Sequence, residues 1–220
     1  IPAVSLSWRG TQHLHPAPAL RGAAAHCAIL LLLCGVGATA QVTPHFPDRR
    51  QDVTRAQDAL WIGTERGLYQ YRENENVWSA RSRESGLLSN RITRLATDQD
   101  VLWIGTDLGV SRFDLRSNTV LSYDSASGFP PGRVLCFAFD PEYVWVGTEQ
   151  GAARYDRLIE QWQRIGAAQG LTGSAVHDIA CIEGLVYMLT DSAVCEYDPK
   201  YERWRVFRDE SDASPVRDAF

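Results

Sequence analysis

The chain has 220 residues, of which 45% are hydrophobic and 22% are charged, a balance typical of a folded globular protein rather than a disordered one. Acidic residues outnumber Lys and Arg by 27 to 22, which gives a formal net charge of −5. Proteins that bind DNA or RNA present a clustered basic face, and because this sequence has none, nucleic-acid binding is not expected.

Residues 1–40 comprise an upstream extension and the three-part pattern of a secretory signal peptide. Arg21 supplies the positive flank, Ala23 to Val36 is a mostly apolar run, and Ala38-Thr39-Ala40 has the small residues that signal peptidase requires. We expect cleavage after this tripeptide, followed by a linker over residues 41–51. The apolar run is shorter than the roughly 20 residues that cross a bilayer, so an uncleaved anchor is the weaker alternative. The sequence therefore predicts export to the periplasm or the extracellular space.

A four-residue motif recurs every 42 residues along the rest of the chain. Its copies are Trp61-Ile62-Gly63-Thr64, Trp103-Ile104-Gly105-Thr106, Trp145-Val146-Gly147-Thr148 and the altered Tyr187-Met188-Leu189-Thr190. Two further columns keep the same spacing: Gly67, Gly109, Gly151 and Ala193, and the aromatic Tyr71, Phe113, Tyr155 and Tyr197. Several columns in one register indicate a tandem structural repeat.

Each repeat is predicted to contain four short β-strands. In the second repeat, Val101 to Thr106, Val110 to Phe113 and Thr119 to Tyr123 are β-branched and aromatic, and turn residues separate them. Four antiparallel strands in about 42 residues are typical of one propeller blade, whereas helical solenoids need a 3.6-residue periodicity. The sequence therefore predicts an all-β fold, a β-propeller of four-stranded antiparallel blades. The blades are expected near 52–86, 90–128, 132–170 and 174–208, with the start of a further blade at 214–220.

The repeated tryptophans and glycines are predicted to have structural roles. Trp61, Trp103 and Trp145 are expected to pack between neighbouring blades, and the glycine two residues on to admit neighbouring backbone or a bulky ring. The second glycine column, Gly67, Gly109 and Gly151, is expected to adopt positive φ in a hairpin turn. Because Ala193 replaces this glycine in the fourth repeat, a different turn is predicted at Asp191 to Ala193.

The repeat resembles that of a known family. Leu102 to Asp114, the Gly86 to Asn90 link, and Ile92 to Leu95 leading to Asp98 are similar to the two-component regulator propeller repeat, and the resemblance covers roughly residues 52–208. It implies an exported sensor propeller of a bacterial membrane receptor. In such receptors a β domain, a transmembrane helix and a histidine kinase or cyclase module follow, and many respond to carbohydrates.

Signal output is not expected from this chain itself. The sequence has no apolar span of about 18 residues after the repeats and no kinase-type phosphoacceptor or ATP-binding segment. The sequence holds about four blades, whereas propellers have about four to eight and close into a ring that removes their exposed edges. These four blades are therefore expected to form an open, incomplete ring. We therefore expect a part of a longer receptor that meets the membrane only through downstream segments or an uncleaved signal.

Candidate ligand-binding residues lie in two kinds of loop. In the usual propeller strand order, the turn after the second strand and the link to the next blade gather on one face, where ligands bind. The candidates are Asn90, Arg91, Arg133, Glu65, Asp107 and Glu149. They predict a carbohydrate or another small ligand. For the arginines the alternative is a salt bridge to a neighbouring blade, and for the acids a solvated turn.

The sequence predicts a protein that is not an enzyme and that uses no cofactor or metal. His177 is the only histidine within the repeats, and the adjacent Asp178 points to the opposite face of a strand. Neither a nucleophile elbow nor a phosphate-binding loop nor a metal-ligand cluster occurs. Two alternatives remain: a stand-alone periplasmic propeller that binds protein, and a carbohydrate-active propeller enzyme. The latter needs two carboxylates about 5 to 9.5 Å apart.

Overall fold

The computed structural model describes residues 49–208, which form sixteen β-strands. The signal peptide, most of the predicted linker and the predicted further strand at 214–220 lie outside the described residues. In chain order the strands are β1 Arg50–Ala56, β2 Ala59–Thr64, β3 Gly67–Arg72, β4 Val77–Arg81, β5 Ile92–Asp98, β6 Val101–Thr106, β7 Val110–Asp114, β8 Thr119–Tyr123, β9 Val134–Phe139, β10 Tyr143–Thr148, β11 Gly151–Asp156, β12 Gln161–Ile165, β13 Val176–Ile182, β14 Leu185–Thr190, β15 Val194–Asp198 and β16 Arg203–Phe207. Over this range, no helix has the length and hydrophobicity of a membrane span.

The strands form four separate antiparallel sheets of four strands each. In every sheet the strands pair in sequence order, β1 to β4, β5 to β8, β9 to β12 and β13 to β16. The first strands of successive sheets pack beside one another, β1 against β5, β5 against β9 and β9 against β13. This radial stacking confirms the predicted β-propeller. The four blades form an open sector and do not close into a ring within residues 49–208.

The tryptophan column fills the joints between blades. Trp61, Trp103 and Trp145 are 1%, 2% and 0% exposed. Each indole meets, edge to face, the aromatic residue on the third strand of the next blade. The ring centroids lie 5.5 Å apart for Trp61 and Phe113, 5.5 Å for Trp103 and Tyr155, and 6.0 Å for Trp145 and Tyr197. Because such pairs stabilise beyond the area that they bury, the two aromatic columns together hold neighbouring blades in one register.

The turn between the second and third strands is closed by threonine. In the first three blades the Thr hydroxyl donates to the carbonyl of the repeat glycine, as in Thr64 to Gly67 at 2.9 Å. Gly67 has a φ of 144°. In the fourth blade Thr190 Oγ1 donates to Ala193 O at the same 2.9 Å, but Ala193 does not adopt positive φ. The predicted difference therefore lies in the backbone angle, while the hydrogen bond is retained.

Candidate functional site

The two kinds of loop predicted to bind ligand meet at one end of the blades. Glu149 follows β10, and its backbone N–H donates to the carbonyl of Arg133, which precedes β9, at 3.1 Å. The Arg133 N–H in turn lies 3.5 Å from Glu149 Oε2. These contacts join the turn after the second strand to the link that enters the same blade. The mouth of the sector is therefore lined by both sets of loops.

Arg133 also reaches from the third blade to the first. Its Nη2 lies 3.5 Å from Gln51 Oε1, and Gln51 Nε2 donates to Glu65 Oε1 at 3.3 Å. The guanidinium thus contacts an amide, and its buried Nε has no hydrogen-bond partner among the residues that the structure describes. Of the sequence-predicted candidates, the structure brings together Arg133, Glu65 and Glu149, with Gln51 as a connecting residue that sequence reasoning missed.

The remaining candidates have separate surroundings. Asn90 Oδ1 accepts a hydrogen bond from the Arg83 backbone N–H at 2.7 Å and so closes the link before β5. Arg91 is exposed, and its backbone N–H donates to Ser89 Oγ at 3.1 Å. Asp107 Oδ1 is buried without a hydrogen-bond partner in the described part of the chain. Asn90 therefore supports its loop, and Arg91 is the candidate among these three that is exposed to solvent.

The three cysteines and the one histidine of residues 49–208 show no catalytic arrangement. Cys136, Cys181 and Cys195 are free thiols, and burial raises the pKa of Cys136 to about 12 and that of Cys181 to about 11. A reactive thiol needs a lowered pKa, so these environments oppose nucleophilic chemistry. His177 is exposed on β13. Within residues 49–208, the structure shows no cluster of three or more metal-ligating side chains.

A cavity of about 310 Å³ lies between the first two blades, at the end opposite the mouth. The β1–β2 turn, from Ala56 to Ala59, forms one wall, and Trp61, Arg81 and Phe113 line the interior. Sequence reasoning missed this cavity. The available signal was a departure from the repeat, since Ala56 stands where the next two repeats have Asp98 and Asp140. A wider groove of about 780 Å³ lies at the same end between blades three and four.

Comparison with known proteins identifies similar structures but no family. No family model and no curated protein matches the chain. The extracellular domain of the hybrid two-component system BT3049 from B. thetaiotaomicron is similar over 73% of this chain and 24% of its own, with a TM-score of 0.61 and 16% identity. That of BT4673 from the same organism is similar over 73% and 22%, with a TM-score of 0.59 and 18% identity.

These structures establish the fold. The WD40 repeats of RRP9 match equally well, with a TM-score of 0.60 and 10% identity over 76% of this chain and 53% of that one. A match shared by extracellular sensor domains and WD40 repeats reflects common blade architecture, because function is determined by the site rather than by the fold. The chain spans about a quarter of the length of the two sensor domains.

Proposed function

We propose that this chain is the ligand-sensing propeller, located outside the cytoplasm, of a two-component-type signalling receptor of the two-component regulator propeller family. The observation that carries the proposal is the 42-residue repeat with its Trp-Ile-Gly-Thr motif, which resembles the repeat of this family. The structural match to extracellular domains of two hybrid two-component systems supports the proposal at the level of the fold. In this proposal the chain binds the signal and has no catalytic activity, so output depends on other segments of the receptor.

The mouth of the sector supports binding of a small polar ligand. Arg133 supplies hydrogen-bond donors, Glu65 and Glu149 supply acceptors, and Gln51 supplies both. Such a set suits a carbohydrate, whose hydroxyl groups donate and accept. The loops that carry these side chains are anchored on rigid blades, and such a frame positions a binding site with little cost in conformational entropy.

The binding proposal is tested by screening the purified chain against a panel of oligosaccharides. A ligand that binds only the folded state raises the midpoint of thermal unfolding. We expect at least one oligosaccharide to do so, and Arg133→Gln and Glu65→Gln to weaken its binding. Arg164→Gln, an exposed arginine on β12, is the matched control. If no oligosaccharide shifts the midpoint, or if both mouth variants bind as the original chain does, the proposed carbohydrate site is wrong.

Two further measurements address export and catalysis. Fusion of residues 1–48 to an export-dependent reporter enzyme should give activity that is lost when Arg21 and the apolar run are deleted. The oligosaccharides that bind should be recovered intact after long incubation with the protein. Cleavage that disappears on replacement of one acidic residue would instead identify a carbohydrate-active enzyme.

A further inference from the structure

The cavity between the first two blades contains two N–H donors that have no acceptor. Trp61 Nε1 and Arg81 Nε are buried, and neither has a hydrogen-bond partner among residues 49–208. Trp61 is only 1% exposed. A buried donor without an acceptor destabilises the folded state, and native structures rarely leave one unexplained. The cavity volume of about 310 Å³ is large enough for a small molecule.

In the third blade a carboxylate accepts from the equivalent indole. Trp145, two repeats after Trp61, donates its Nε1–H to Asp140 Oδ2 at 2.5 Å. The residue two repeats before Asp140 is Ala56, which lines the cavity. Trp61 meets Phe113 edge to face at 78°, as Trp145 meets Tyr197 at 71°, and both indoles are buried at the same repeat position. In the first blade, Ala56 stands at the repeat position that holds the acceptor Asp140 in the third blade.

The second blade retains the acid. Asp98 stands at the equivalent position and forms an ion pair with Arg157 of the next blade. Trp103 Nε1 also lacks a partner, but there the carboxylate is present and is paired with that arginine. At the first joint both members of this pair are replaced, by Ala56 and Leu115. The first of these three joints alone has neither the acid nor the arginine.

Arg81 adds a positive charge to the cavity that has no counterpart in the other blades. It extends from β4 over the Phe113 ring, 4.4 Å from the centroid, and donates through Nη2 to Asn118 Oδ1 at 2.6 Å. Burial, and then the nearby charge of Arg72, lower the pKa of Arg81. Arg72 is paired with Glu75 at 3.1 Å. The other charged residue that lines the cavity is Asp58, which is exposed on the β1–β2 turn.

We propose that this cavity is a binding site for a small organic carboxylate. The ligand's oxygens take the place that Asp140 occupies in the third blade, accepting from Trp61 Nε1 and from Arg81. A guanidinium and an indole N–H are both donors without acceptor capacity, so they select an anion over a neutral hydroxyl compound. The amides of Gln70 and Asn118 line the same cavity and can hydrogen-bond hydroxyl groups of the ligand. The site lies at the end opposite the mouth, so it does not depend on the proposed sensing function.

The test compares carboxylates with a matched neutral compound, using the full chain and isothermal titration calorimetry. Acetate probes the carboxylate alone, and gluconate is compared with glucitol, which has a CH₂OH group in place of the carboxylate. We expect saturable binding of at least one carboxylate, and gluconate to bind at least about tenfold more tightly than glucitol. Inorganic phosphate, a tetrahedral anion, is expected to bind more weakly than gluconate.

Three variants localise the binding to the cavity. Ala56→Asp supplies an internal carboxylate and is expected to abolish binding of acetate and gluconate. Arg81→Gln removes the guanidinium charge and is expected to weaken binding about tenfold. Trp61→Phe removes the indole N–H and is expected to weaken binding several-fold. Arg164→Gln, on the surface of the third blade, is expected to bind as the original chain does. Circular dichroism identifies any variant that fails to fold.

Four results would overturn the proposal. They are the absence of saturable binding for both carboxylates, equal affinity for gluconate and glucitol, phosphate binding as tight as that of gluconate, and gluconate binding unchanged in folded Arg81→Gln. The mouth variants Arg133→Gln and Glu65→Gln should leave gluconate binding unchanged, so failure here is separable from failure of the carbohydrate site.

Discussion

The Cγ2 methyl of Ile92 lies in the space left by the missing side chain of Gly63. A Cβ built on Gly63 would stand 2.5 Å from that methyl and 3.1 Å from Ile92 Cβ, closer than carbon atoms approach without repulsion. The same arrangement recurs at the second joint, where Val134 Cγ1 lies 2.6 Å from the position of a Cβ on Gly105. A β-branched side chain at the start of each blade therefore sits against a glycine on the second strand of the blade before it.

We expect Gly63→Ala to destabilise the protein by about 1–3 kcal/mol, the usual cost of overpacking a joint. Urea denaturation measures the change in the free energy of unfolding. In the Ile92→Ala background, which removes the clashing methyl, the additional cost of Gly63→Ala should fall well below that in the original chain. Gly166→Ala is the matched control, because its φ is −145° and the nearest atom to an added Cβ is 3.8 Å away. Equal costs for Gly63→Ala in the two backgrounds would contradict this packing.

The blade architecture was predictable from the sequence because its determinants are local and repeat. Trp61, Trp103 and Trp145 recur at a fixed spacing, and each meets the aromatic residue on the third strand of the next blade. The side chain that approaches the first glycine column was less predictable. We expected backbone or a bulky ring. The structure shows the β-branched Ile92 and Val134 at Gly63 and Gly105, whereas at Gly147 the Val176 carbonyl oxygen approaches together with Cys136 Sγ, so backbone approach is confirmed at that joint.

The candidate sites were less predictable, since they depend on contacts between blades and on departures from the repeat. Arg133 and Gln51 are 82 residues apart, and only the curvature of the stacked blades brings them to one mouth. The cavity beside Trp61 exists because Ala56 lacks a carboxylate that the next two repeats have. Recurring residues do not indicate this cavity, because Ala56, the residue that leaves room for it, departs from the repeat. Arg81, whose partner Asn118 belongs to the next blade, has no equivalent to compare with.

Asp52 forms a hydrogen bond between blades that its equivalent in the last blade does not show. Its Oδ2 accepts from the Leu95 N–H at 2.8 Å, and its Oδ1 accepts from Val53 N–H at 2.8 Å. Asp178 makes only the second kind of contact within residues 49–208, to Ile179 N–H at 3.0 Å. We expect Asp52→Ala to cost about 1–3 kcal/mol more than Asp178→Ala, because it leaves the Leu95 N–H unsatisfied in a joint. Equal midpoints in urea for the two variants would refute the inter-blade contribution.

Replacing tryptophan by phenylalanine should have different effects at the first and third joints. Trp145→Phe removes the donor to Asp140 Oδ2, whereas Trp61→Phe removes an N–H that has no partner in the described chain. The two changes delete the same atoms from side chains of similar burial, so the packing losses largely cancel in the comparison. Trp145→Phe is expected to cost about 1.5–3 kcal/mol more, the range for a hydrogen bond to a charged group. Thermal unfolding of both variants, with little or no carboxylate present, measures the difference in their free energies of unfolding. That difference should vanish if the indole N–H of Trp145 contributes nothing.

The buried thiol of Cys136 should make stability depend on pH in the alkaline range. Its Sγ lies 3.7 Å from the Val176 carbonyl oxygen, and burial raises its pKa from 9.0 to about 12. Because the unfolded chain loses this proton at lower pH than the folded chain does, the thiol's contribution is fully present below pH 9 and is lost as the pH rises towards about 12. One thiol then lowers the free energy of unfolding by about 2 kcal/mol between pH 8 and roughly pH 10.5. Urea titrations at both pH values measure the free energy of unfolding of the original chain and of Cys136→Ala. The decrease with pH should be smaller in the variant. Packing energy lost in the substitution lowers stability at both pH values and does not affect this comparison. Parallel pH profiles for the two proteins would show that the thiolate is tolerated in the joint.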